Sequence, residues 1–178
     1  MTGGSPHTIK VNRAPVLTLW AAVVAERLGF THDEALTLGR AVAGLNAYSK
    51  GVSLRLIHPA PEAVRKERKK PQKGKTLTVA LLGRAVPVVR TPAGLRALTK
   101  GKPEDPASVA RYLEGKFGGA LPEVRTAMMK LARSTPPKEL AARAYSLYEK
   151  FRPAVPTGTR GWGAKGELDL ERLKALAP

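Results

Sequence analysis

Gly161, Gly163 and Gly166, within RGWGAKGELD (residues 160–169), stand at the G-x-G-x-x-G spacing that brings backbone N–H groups up to a pyrophosphate in dinucleotide-binding loops. Arg160 and Lys165 flank them with positive charge. That chemistry also needs a strand leading in, a helix opening on the last glycine and an acidic residue about 20 positions on to hold the ribose. Here RPAVPTGT leads in, with prolines 153 and 156 where a buried strand would run, and only 12 residues follow Gly166. The spacing lacks its context, so no cofactor is expected. The segment reads as a C-terminal latch in which Trp162 plugs onto a helical bundle.

Metal and acid–base chemistry find no firmer footing. His7, His32 and His58 form no H-x-x-x-H pair, and the absence of cysteine removes the usual zinc donor sets, disulfides and thiol catalysis. Asp33, Glu34, Asp105 and Asp169 stand where helices are expected to start, and there they complement the helix dipole. Glu114, Glu123, Glu139, Glu149 and Glu171 stand among basic residues on expected polar faces. No serine lies in G-x-S-x-G and no G-x-x-x-x-G-K-[ST] loop is present. No catalytic or metal-binding residue is assigned.

Charge is the strongest signal. The chain has 31 Lys and Arg against 14 Asp and Glu, a formal net charge of +17. Such a surface attracts nucleic acid, acidic lipid or acidic protein. Residues 51–100 alone hold 12 basic and 2 acidic residues, a concentration that solubility alone would not require. Its densest part is RKERKKPQKGK (65–75), with seven basic residues in eleven. A solvated linker is the plain reading of such a run, because like charges repel and stay apart.

The run has no interleaved bulky apolar residues, which argues against a membrane surface. The candidates for phosphate contacts are Arg65, Lys66, Arg68, Lys69, Lys70, Lys73 and Lys75 in this arm, with Arg84 and Arg90 in the segment after it. Arg55, Arg96, Lys100 and Lys102 extend the same basic region. Contacts of this kind give affinity and salt dependence with little sequence choice.

These residues need elements to hold them. APVLTLWAAVVA (14–25) is too short to span a membrane and predicts a buried helix starting near Pro15. Val16, Leu17, Trp20, Val23, Val24 and Leu28 recur at helical spacing before Gly29. Thr31-His-Asp-Glu34 is a capping box opening a second helix that is expected to stop at Gly51. Its small residues Ala35, Gly39, Ala43 and Ala47 let another backbone come close: the first helix in a tight hairpin, or alternatively a homodimer partner. Gly39 and Gly44 in a helix interior each cost roughly 1 kcal/mol and call for an offsetting contact.

TIKVN (8–12) and VSLRLI (52–57) read as short strands. TLTVALL (76–82) and AVPVVR (85–90) form a hairpin about Gly83-Arg84, with Pro87 marking an edge or a bulge. Thr91-Pro92 is expected to cap a short helix, AGLRALT. After Lys100, Asp105-Pro106, Leu121-Pro122, Thr135 with its two prolines and Asp169 each open a helix. EVRTAMMKLARS could serve as the second helix of a helix-turn-helix presenting Arg125, Lys130 and Arg133, but Val124, Met128 and Leu131 favour an ordinary helical hairpin.

The expected fold is α+β and mainly α-helical: an N-terminal helical hairpin, a small basic β-unit, and a C-terminal bundle of three or four helices. The units divide as 1–100 and 101–178, or form one domain. The expected function is non-enzymatic binding of nucleic acid in the cytoplasm, without a membrane. Aromatic residues are 5% of the chain and sit mostly at core spacings, including Trp20, Tyr112, Phe117, Tyr148 and Phe151, which leaves no base-stacking platform. Duplex DNA is therefore placed ahead of structured RNA, and both ahead of single strands. The alternatives are an oligomerisation module using the small-residue helix face, with a possible homodimer, and an enzyme on a phosphorylated or polyanionic substrate.

Overall fold

Every residue from Pro15 to Ala25 is buried in the computed structural model, which describes residues 8–53, 76–153 and 166–177. Apart from Thr18, whose hydroxyl donates to the Ala14 carbonyl at 2.9 Å, this run is apolar, so its helix, α1 (Arg13–Arg27), must be wrapped rather than laid on a surface along one stripe. Helix α2 (His32–Ser53) packs along its length, while α4 (Leu121–Arg133) and α5 (Pro137–Phe151) cover other sides. The Trp20 indole N–H donates to the Ala144 carbonyl at 2.9 Å, so the largest core side chain leaves no polar group unsatisfied. Phe151 meets the Trp20 ring edge-on at 5.3 Å and the Tyr148 ring at 5.9 Å. Burial pushes the Tyr148 phenol well above its ordinary range, and its hydroxyl donates to the Arg13 carbonyl at 3.3 Å.

The capping box forms: the Thr31 N–H donates to Glu34 Oε1 at 2.9 Å, and the Glu34 N–H to Thr31 Oγ1 at 3.3 Å. Gly39 is where α2 and α1 touch most closely. A Cβ there would collide with the Thr18 carbonyl oxygen and press on Ala22. The small-residue face at Ala35, Gly39 and Ala43 is buried against α1, forming the tight hairpin. Gly44 has no such reason, because a Cβ there would meet nothing. The helix does not stop at Gly51 but runs to Ser53, so the start of the expected strand VSLRLI is helical. The rest of that expectation, residues 54–57, lies outside the described residues.

The β-unit is a four-stranded antiparallel meander: β2 (Thr76–Leu81), β3 (Arg84–Thr91), β4 (Gly94–Thr99) and β5 (Lys102–Pro103). The first turn is Leu82-Gly83 rather than Gly83-Arg84, with Arg84 already in register opposite Leu81. Both turn residues have positive φ, 49° and 76°, as a primed two-residue hairpin requires. Leucine is a poor residue there, but its side chain is buried, and about 1.5–3 kcal/mol from that burial outweighs a strain of roughly 1–2 kcal/mol. Lys100-Gly101 repeats the same turn between β4 and β5.

AGLRALT is a strand and not a helix. Thr91 and Gly94 close a two-residue turn over Pro92-Ala93, with Thr91 Oγ1 donating to the Gly94 carbonyl at 2.8 Å. Gly94 then takes φ +120°, which a helix cannot contain. Pairing with β3 and packing on α2 override a local helical preference that no long periodic run supports. Pro87 lies in an inner strand, not at an edge. Its ring replaces the N–H that would point towards β4, and the β3–β4 ladder ends one residue away, at Val88 opposite Ala97.

The C-terminal half follows the expected helix starts. The helices are α3 (Pro106–Phe117), a 3-10 turn (Gly118–Ala120), α4, α5 and α6 (Leu170–Leu176). Asp105 Oδ1 accepts from the Ala107 N–H at 3.1 Å, and Asp169 Oδ1 from the Arg172 N–H at 3.2 Å, so both aspartates cap as expected. Leu140, Ala144, Leu147, Tyr148 and Phe151 form the buried face of α5. β1 (Thr8–Lys10) pairs with β6 (Glu167–Asp169), Ile9 opposite Leu168, and the Val11 N–H continues the ladder to the Gly166 carbonyl at 3.0 Å. The result is an α+β, mainly helical architecture with helices from both ends of the sequence around α1.

Candidate nucleic-acid interface

Two of the expected phosphate contacts fall on β3, and the fold gives them different work. Arg84 and Arg90 stand near opposite ends of the strand, about 20 Å apart at 3.3 Å per residue. Arg84 is half-buried, and its Nη2 donates to Asn46 Oδ1 at 2.9 Å. The Asn46 amide is itself fixed by donating to the Val42 carbonyl at 3.0 Å, so Arg84 ties the hairpin to α2. Arg90 is exposed at the other end. Arg65, Lys66, Arg68, Lys69, Lys70, Lys73 and Lys75 lie outside the described residues. The chain re-enters at Thr76, opposite Val89 and so beside Arg90.

At the Arg84 end, the Lys100-Gly101 turn and Lys102 are exposed. Arg96 differs from both groups. It is buried, donates through Nη1 to the Leu95 carbonyl at 2.8 Å, and lines an open cleft of about 580 Å³. Asp33, Glu104 and Asp105 share that cleft, so it does not complement a phosphate.

A second basic surface lies along α4, where an open groove of about 560 Å³ is lined by Pro122, Arg125, Thr126, Met129, Lys130 and Arg133. The opposite face of α4 buries Val124, Ala127, Met128, Leu131 and Ala132, so the helix is committed on one side and basic on the other. Arg125 lies 2.9 Å from both carboxylate oxygens of Glu26, which also meets His32 Nδ1 at 3.4 Å. Burial opposes the Glu26 charge, but Arg125 and His32 outweigh it and hold the carboxyl below its ordinary range. Arg125, Lys130 and Arg133 are the three basic residues that spacing places on one face of EVRTAMMKLARS, with Val124, Met128 and Leu131 buried on the other.

Among the described residues no group of three or more His, Asp or Glu side chains is placed to hold a metal. Carboxylates serve helix starts (Glu34, Asp105, Asp169) and ion pairs (Glu26 with Arg125, Glu139 with Arg143, Glu123 with Lys174). Aromatic rings are mostly in the core, and Tyr112 lies under the Arg40 guanidinium at 4.6 Å. Of the glycine-rich loop only Gly166 is described, and the Trp162 plug lies outside the described residues. No helix among the described residues is long and apolar enough to cross a membrane. Comparison with protein-family models finds no match to this chain, and comparisons with curated proteins and with solved structures find none either.

Proposed function

We propose that this chain is a non-enzymatic nucleic-acid-binding protein of the cell interior that grips the phosphate backbone through its basic central region. The observation that carries this reading is the charge: +17 overall, with 12 basic and 2 acidic residues in 51–100. Duplex DNA ranks first and structured RNA second. The described surface favours both over single strands, since Leu77 is its one exposed large hydrophobic residue and a single-strand reader needs rings on which bases can stack. Oligomerisation through the small-residue helix face is the weaker reading, because that face is occupied by α1.

The test is a gel-shift series with duplex DNA, single-stranded DNA and structured RNA over a range of salt. Binding should weaken steeply with salt. Replacing Arg68, Lys69 and Lys70 with glutamine should flatten the log–log slope by about 2.7, at about 0.9 per lost phosphate contact. Affinity unmoved by that change removes the arm as the contact. No binding to any of the three at low salt overturns the reading.

A further inference from the structure

Lys130 and Arg133 are exposed on α4, one helical turn apart, and neither forms an ion pair among the described residues. Both belong to the last turn of α4, where the helix dipole favours cations. The dipole explains the sign of these charges but leaves them unneutralised. Arg125 extends the stripe towards the helix N-terminus, eight residues or about 12 Å from Arg133. Its guanidinium is held in place by Glu26, so it is oriented rather than free to sweep the solvent. The groove beside these three residues has Met129 as its one long apolar side chain and no aromatic residue. A protein partner is ordinarily held by buried aromatic or aliphatic anchors, and nothing here would seat one.

We propose that this groove is a second phosphate-backbone track, in which Lys130 and Arg133 supply the charge and Arg125 sets one end. The proposal rests on the nucleic-acid reading above and deepens it. Duplex nucleic acid carries one negative charge per roughly 1.7 Å of its axis, so a 12 Å stripe always faces several phosphates whatever the sequence. Because the Glu26 carboxylate already offsets Arg125, Lys130 and Arg133 carry most of this track's share of the affinity. The track lies on α4, a different element from the β-unit that follows the basic arm.

The experiment measures binding of a short DNA duplex by fluorescence anisotropy from 50 to 200 mM salt. It uses the full chain, the Lys130→Gln/Arg133→Gln double variant, and the charge-preserving Lys130→Arg/Arg133→Lys variant. The glutamine variant should lower the salt slope by about 1.8, two phosphate contacts at about 0.9 each, while the charge-preserving variant keeps the full slope. Both positions are on the surface, so thermal unfolding should be nearly unchanged. An unchanged slope in the glutamine variant, with the unaltered chain still binding, overturns the track and leaves the nucleic-acid reading standing. Failure of the unaltered chain to bind overturns that reading itself. Polyglutamate binding that the glutamine variant weakens, with duplex binding unmoved, assigns the groove to an acidic protein and overturns the proposal.

Discussion

Two glycines five residues apart on α2 show how differently one residue type can act. Gly39 sits where the Thr18 carbonyl leaves no room for a side chain, whereas Gly44 is exposed with nothing near it. Gly39→Ala should therefore destabilise the protein by about 1–3 kcal/mol or more, since relief requires moving a backbone rather than a flexible side chain. Gly44→Ala should stabilise it by about 0.5–1 kcal/mol through helix propensity alone. Urea denaturation of the two variants checks both signs, and equal effects would contradict the close helix contact. The spacing of small residues placed Gly39 on the contact face and Gly44 off it, but the offsetting contact expected at Gly44 does not form. The place of Leu82 in a turn was hidden in the sequence. A leucine at positive φ is tolerated only because tertiary burial outweighs its local cost.

At the scale of elements, α2 does more than pack. The β5 strand has only two residues, and although the Glu104 N–H just beyond it donates to the Ala97 carbonyl at 2.8 Å, the N–H groups of Leu95 and Ala97 on the near edge of β4 meet no strand. Side chains of α2 stand in for the missing strand: Glu34 Oε2 accepts from the Leu95 N–H at 2.9 Å, and Thr37 Oγ1 from the Ala97 N–H at 3.0 Å. Glu34 thus caps its own helix and closes a sheet edge with one carboxylate. The backbone N–H groups of Leu95 and Thr31 hold this carboxyl below its ordinary range. Its folded-state pKa is depressed, so its stabilisation is present above the unfolded value of about 4.3 and is lost as pH falls through that value towards the folded one. Glu34→Gln should cost about 1–3 kcal/mol at pH 7, and the gap to the unaltered protein should narrow towards pH 3. A gap that stays constant from pH 7 to pH 3 would sink this assignment. The capping box was readable because its partners are three residues apart. The strand AGLRALT was not, because its partners are a helix sixty residues away and a neighbouring strand.

For the whole molecule, charge opposes compaction. At +17 the chain repels itself, and its exposed ion pairs, each worth about 0–1 kcal/mol, do little to offset that. Raising salt from about 0.01 to 0.15 M shortens the Debye length from about 30 to 8 Å, so the Tm should rise over this range. A flat or falling Tm by calorimetry would mean that ion pairs dominate instead. Overall α+β character, helix starts and the basic balance could all be read from local spacing and composition. The division of labour between Arg84 and Arg90 could not, because it depends on Asn46 from a different element.

The burial of α1 on every side has a consequence for how the protein is made. Its sequence is translated before α5, and the side covered by α5 stays bare until roughly 120 more residues have been added, on the order of 10 s at typical elongation rates. For most of that interval, until α4 follows, α2, the next helix along, is the main cover α1 can have. The nascent chain therefore presents an apolar rod, residues 15–25, before the helices that bury it have been made.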